Sequence, residues 1–164
     1  MRPALAVVIV LGTLGTGCGY VNKLGPSTCD RSASDNPPLL YTEGEVDGNV
    51  YKSAEVDCAG RMLDKSKCEL LYFPGGMRYQ IEHKLTDSEG AGVVPDWWQF
   101  ELSFDQYGAE TGTLAPAAGD SAQLTDINEK DLVVVNGTCA EYWLLVIAGT
   151  GLPPDAGTAD AGSD

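Results

Sequence analysis

A Ser-His-acid hydrolase needs an imidazole nitrogen free beside its serine, and this chain has one histidine, His83. It falls on the apolar side of the alternating run Met77, Tyr79, Ile81, His83, Leu85. The expected state is therefore a ring hydrogen-bonded to backbone, and no G-x-S-x-G motif precedes a helix. Paired carboxylates could instead do acid/base work on a glycosidic bond. Glu101 and Asp105 share a strand face, as do Glu43, Glu45 and Asp47 if that stretch is extended. With 24 acids among 164 residues such pairs are unavoidable, and a solvated outer face accounts for them. The run from Asp126 through Asn128 and Glu129 to Asp131 sets oxygen ligands at short intervals, as a hard cation requires, but its spacing departs from the EF-hand pattern. Neither G-x-x-x-x-G-K nor a strand-to-helix glycine fingerprint occurs. The expectation is a protein that is not an enzyme, with no catalytic residue, no metal and no cofactor.

Two surface features could bind rather than react. Trp98 belongs to the apolar face of its run, which turns Trp97 to the opposite face beside acidic residues. An aromatic ring so placed suits a sugar or peptide platform, which makes Trp97 the candidate ligand-binding residue. Arg61, Lys65 and Lys67 form the basic cluster, expected to be a solvated turn. The formal net charge of −14 argues against unaided binding to nucleic acid. Asn136-Gly137-Thr138 matches a glycosylation sequon, but Asn-Gly also marks a tight turn.

The first 17 residues have a secretory layout: Arg2, an apolar run from Ala4 to Leu14, then Gly15, Thr16 and Gly17 ahead of Cys18. The run of about 11 residues is short of the roughly 20 that cross a bilayer as a helix. Gly15-Thr16-Gly17-Cys18 resembles the bacterial lipobox, although that pattern prefers an aliphatic residue where Gly15 stands. The resemblance implies cleavage before Cys18 and acylation of its sulfur, so that acyl chains hold the protein to a membrane. Gly19 in the next position resembles the arrangement sorted to outer membranes. Ordinary signal-peptidase cleavage after Gly17 or Gly19 is the alternative, and leaves Cys18 free or removed.

With Cys18 lipidated, Cys29, Cys58, Cys68 and Cys139 remain, an even number in an exported chain, which implies two disulfides. Three connectivities are open. Spacing favours Cys58 with Cys68, which flank one loop between two strand-like runs, and leaves Cys29 with Cys139. A zinc site is disfavoured by the absence of any C-x-x-C.

These residues must be positioned by strands. The chain is 43% hydrophobic, and its apolar runs are short, rich in β-branched and aromatic residues, and broken by turn residues about every ten positions. Trp98, Phe100, Leu102 and Phe104 alternate with Gln99, Glu101, Ser103 and Asp105, the mark of a half-buried strand. A run from Val50 to Cys58 places Val50, Ala54, Val56 and Cys58 on one face. Asp47-Gly48 opens one hairpin, and Asn136-Gly137 is expected to close a second from Leu132 to Ala148, apolar on both faces and central in a sheet. Between Asp120 and Lys130, Leu124 and Ile127 sit three apart, so a short helix competes there. The predicted fold is all-β, an antiparallel β-sandwich stapled by disulfides, with a small β-barrel as the alternative. Its predicted parts are a signal peptide (1–17), an anchor and flexible tether (18–38), the sandwich (39–149) and a disordered acidic tail (150–164).

The stretch Gly44 to Cys58, GEVDGNVYKSAEVDC, resembles a hairpin opening seen in small bacterial envelope lipoproteins, and with the DAG-type tail the chain resembles the uncharacterised lipoproteins of myxobacteria. That resemblance implies export to the cell envelope and no known reaction. The functional expectation is a non-catalytic, lipid-anchored binding or structural module whose partner is an envelope protein or glycan. The alternatives are a barrel carrying a small apolar ligand and a glycan-processing enzyme with paired carboxylates.

Overall fold

The computed structural model describes residues 37–56 and 65–153. The leader, Cys18, Cys29, Cys58, Arg61, nearly all of the tether and most of the tail lie outside the described residues.

The molecule is mostly β, in two sheets. The first strands are β1 (Leu39–Tyr41), β2 (Glu45–Asp47) and β3 (Val50–Lys52). β4 (Leu71–Phe73), β5 (Arg78–Glu82) and β6 (Trp97–Ser103) follow, then the single helical turn α1 (Gly108–Thr111) and β7 (Ala115–Pro116). β8 (Gln123–Ile127), β9 (Asp131–Val135) and β10 (Tyr142–Gly149) complete the order. One sheet runs β1-β5-β9-β8, with β1 parallel to β5 and the other pairs antiparallel. The second runs β2-β3-β10-β6-β7, all antiparallel.

β10 is the spine of the second sheet because its sequence is apolar at both parities. Leu144, Val146 and Ala148 join Tyr51, Phe73, Phe100 and Leu102 from their own sheet and Ile81, Leu132 and Val134 from the other in one buried cluster. Leu145, on the opposite parity, packs with Ala54 and Leu70 in a second cluster bordered by Ala109, Leu114 and Trp143. A strand covered on both faces is the situation in which alternation disappears. One edge of β10 is filled by β6 from Trp143↔Ser103 to Gly149↔Trp97. The other edge is shared end to end by β4, opposite Tyr142–Leu144, and β3, opposite Ile147–Gly149.

The β2–β3 hairpin has the expected turn: Asp47 pairs with Val50, and Gly48 takes φ +61° between them, as a two-residue loop requires. Elsewhere the structure corrects the sequence reading. Neither sheet closes, so the barrel alternative is set aside. The run from Val50 stops as a strand at Lys52, and its buried face carries Tyr51 and Ser53 rather than Val50. The Tyr51 ring is the larger apolar payload, and its hydroxyl donates to the Glu43 carbonyl at 3.0 Å. Leu132 to Ala148 is not a hairpin, since β9 and β10 lie in different sheets. The Asn136 amide, which a tight turn would leave in solvent, is buried and bonded instead to the Phe73 and Ala140 carbonyls. Asp120 to Lys130 forms a 3-10 turn (Gly119–Ser121) and then β8. Leu124 and Ile127 both reach the core because a bulge interrupts the β8–β9 register between Leu124 and Asp126, which brings residues three apart onto one face. Phe104 lies beyond the end of β6 and is 83% exposed, stacked on Tyr142.

Candidate functional site

Because β3 and β4 meet the same edge of β10 without meeting each other as a pair, a cleft of about 670 Å³ lies between the β2–β3 hairpin and the segment leading into β4. Its floor is apolar, from Ala54, Leu70 and Leu71. Tyr72 and Trp143 stand in one wall, paired across β4 and β10, with ring centroids 5.2 Å apart and planes tilted by 52°. The opposite wall is the whole of β2, Glu45–Asp47, preceded by Glu43 and Gly44. Gly44 is required there: it holds φ +87°, and a Cβ would stand 2.6 Å from both the Lys52 carbonyl oxygen and the Tyr51 hydroxyl. The chain thereby folds tightly over Tyr51, and β2 is brought to the rim.

The charges of the cleft are uneven. Glu43, Glu45, Asp47, Glu55 and Glu69 line it, against Lys52 and Lys67. Lys67 Nζ contacts Glu45 Oε1 at 2.6 Å, and that hydrogen bond and charge hold the Glu45 carboxyl below the usual carboxylate range. At the back of the cleft the Tyr41 hydroxyl donates to the Ser53 carbonyl at 2.8 Å. Burial first, then the negative charge of Glu43 and the neighbouring Tyr79, pushes the Tyr41 phenol up to about 12. Tyr72 is pushed up by burial and then by its hydrogen bond to Glu141.

The residues singled out from sequence fall elsewhere or are already occupied. His83 is fully buried. Its Nδ1 accepts from the Leu85 backbone N–H at 3.2 Å, which leaves Nε2 to donate to the Asn128 carbonyl at 3.0 Å. Both ring nitrogens are thus committed to backbone, the arrangement its position in the run implied. Trp97 is partly buried, lying so closely on Gly149 that a Cβ there would be 2.5 Å from its ring, while Trp98 is the exposed one at 43%. Glu101 accepts from Gln99, and Asp105 accepts from the Tyr107 backbone N–H, so each serves local structure. Asn128 Oδ1 accepts from the backbone N–H groups of Lys130 and Asp131, and among the described residues no cluster of potential metal ligands occurs. Asn136, the sequon asparagine, is fully buried. Cys68 is buried, and neither Cys68 nor Cys139 is without a partner.

Sequence reasoning missed Tyr72, Trp143 and Leu70. Each sits in a run readable as a buried strand, and only the register of β4 on β10 sets the two rings side by side. No known family model, no curated protein and no solved structure matches this chain.

Proposed function

We propose that this chain is a non-catalytic binding module of the bacterial envelope, anchored through acyl chains on Cys18, and that the cleft between β2 and β4 is its ligand site. The observation that carries this reading is the cleft: about 670 Å³ of open space walled by Tyr72 and Trp143. The cleft joins two aromatic rings and the apolar side chains of Leu70 and Leu71, the kind of surface that small ligands bury, to seven charged residues. Its partner is an envelope protein or glycan. The commitment of His83 to backbone removes the one imidazole from acid/base use. The space between the sheets is filled by Tyr51, Phe73, Ile81 and their neighbours, which counts against an apolar carrier. The fold is a β-sandwich stapled by Cys58–Cys68 and Cys29–Cys139, a reading supported by the bonded state of Cys68 and Cys139.

Hydrogen exchange of the purified chain tests the site. An N-acetylglucosamine tetramer and a lysine peptide are added in turn, and at least one should slow amide exchange at 43–47 and 69–72. Unchanged exchange there, with protection by either probe confined to another surface, would place binding outside the cleft. Cleavage of the tetramer would replace this reading with the glycan-processing one.

A further inference from the structure

The cleft has a charge and a pair of rings that together select a class of ligand, an inference resting on the binding reading above. Lys67 already pairs with Glu45. Among the described residues, the carboxylates of Glu43, Asp47 and Glu69 make no hydrogen bond or ion pair, and Lys52 is the other cation of the lining. An anionic ligand would meet these carboxylates, exposed at the rim of the cleft, on its way in and be repelled. A neutral ligand would use the rings and leave the carboxylates solvated. A cation on an apolar stem uses both: its charge sits against carboxylate and the faces of Tyr72 and Trp143, while its methylenes lie along Leu70 and Leu71.

We propose that the cleft binds an alkyl ammonium or guanidinium group, presented by a lysine- or arginine-bearing peptide segment, between the Tyr72–Trp143 rings and the carboxylates of Glu43 and Glu69. The general acidity of the protein is the competing explanation for any affinity toward cations. It differs in one respect: a uniform field has no use for an aromatic ring and does not distinguish one exposed acid from another.

Titration calorimetry on the full chain decides between them, with three probes: acetyl-Gly-Lys-Gly-Lys-Gly-amide, the same peptide with both lysines acetylated, and spermidine. The lysine peptide should bind at least about tenfold more tightly than its acetylated form, the scale of one desolvated cation–π or charge contact. Trp143→Leu, which changes no charge, should weaken binding by about tenfold, as should Glu43→Gln combined with Glu69→Gln. Glu89→Gln combined with Glu110→Gln removes the same two charges from exposed positions outside the cleft, and should shift affinity by less than about twofold. Where Trp143→Leu lowers the melting midpoint, Tyr72→Leu serves in its place. The proposal is overturned if Glu89→Gln with Glu110→Gln weakens binding as much as the cleft variants, if neither ring variant alters it, or if acetylated peptide binds equally. Tighter binding of spermidine than of the peptide would overturn the peptide as source. Failure of the amines, while the N-acetylglucosamine tetramer protects the cleft amides, would sink this inference and leave the binding reading standing.

Discussion

Asn136 is fully buried, and every polar atom of its side chain is used. Nδ2 donates to the Phe73 and Ala140 carbonyls, both at 2.9 Å, and Oδ1 accepts from the Thr138 N–H at 3.0 Å and its hydroxyl at 2.7 Å. The side chain therefore ties the strand leaving one sheet to β4 in the other. Asn136→Ala should cost about 2–4 kcal/mol, because it leaves the buried Phe73 carbonyl without its donor and removes three further hydrogen bonds. Urea denaturation reads that loss, and a change under about 1 kcal/mol would mean that solvent reaches the site. The sequence marked Asn136 as a turn residue. Its burial was not legible, because the two carbonyls that it serves are supplied by a strand 63 positions away and by the loop after it. His83, by contrast, was legible, since its alternating run fixes its face without reference to any partner. The tryptophans were half legible: parity put Trp97 and Trp98 on opposite faces, but the reading covered Trp98 and exposed Trp97, and at this end of β6 the exposure is the reverse. Cys18 is a residue-scale question of another kind. If its sulfur carries the anchor, Cys18→Ser should move the protein from the detergent to the aqueous phase on cloud-point separation; retention in the detergent phase would remove the lipid from the account.

At the scale of elements, the period of the apolar pattern was a sound guide where strands are regular and failed where one is not. β5 follows its alternation at Ile81 and β6 at Phe100 and Leu102, but the β6 pattern breaks at its ends, where Trp98 is exposed and Ser103 buried. β8 imitates a helix because its bulge inserts Thr125 between Leu124, opposite Val134, and Asp126, opposite Val133. That geometry makes an unusual forecast. Deleting Thr125 restores continuous pairing and keeps Leu124 and Ile127 on the core face, losing little beyond the Thr125 hydroxyl bond to the Val133 carbonyl. The cost should be near 1 kcal/mol. Deleting Val133 from regular β9 instead reverses the faces of all residues on one side of the gap and should abolish cooperative unfolding. Circular dichroism melts of the two deletions compare them, and equal damage would mean that the bulge itself, rather than the facing of Leu124 and Ile127, is what the sheet needs. The β9–β10 connection was misread for a related reason. Two adjacent apolar runs joined by Asn-Gly describe a hairpin and a crossover between sheets equally well, and long-range pairing with β5 and β6 decides.

Taken as a whole molecule, two sheets sharing one apolar cluster could be anticipated from composition and turn spacing, whereas the cleft could not. It exists because two short consecutive strands, β3 and β4, divide one edge of β10 far along the chain from both. The proposed disulfide staple would act at this scale: if it is present, full reduction should lower the melting midpoint by several degrees, and an unchanged curve would show that the sheets alone hold the fold. Buried phenols give the fold an alkaline limit as well. Burial is the main cause pushing up Tyr41, Tyr51 and Tyr79, with Glu43 adding to the shift at Tyr41 and Tyr41 and Glu82 at Tyr51. An exposed phenol in the unfolded chain ionises near pH 10. Above that pH the unfolded state gives up protons that the native state still holds, so it binds fewer protons and stability falls as pH rises. Below about pH 10 the contribution of these tyrosines is complete, and it drains away up to about 12, where Tyr41 itself ionises. The charge of −14 sharpens the effect, since each phenolate adds to self-repulsion. The urea midpoint should therefore decline from pH 10 to 12, with phenolate absorbance appearing in step with unfolding. Tyr51→Phe forfeits the hydrogen bond to the Glu43 carbonyl and should start from a lower midpoint, but decline less steeply. A midpoint that holds constant from pH 10 to 12 would show that these hydroxyls ionise as readily in the folded chain as in the unfolded one.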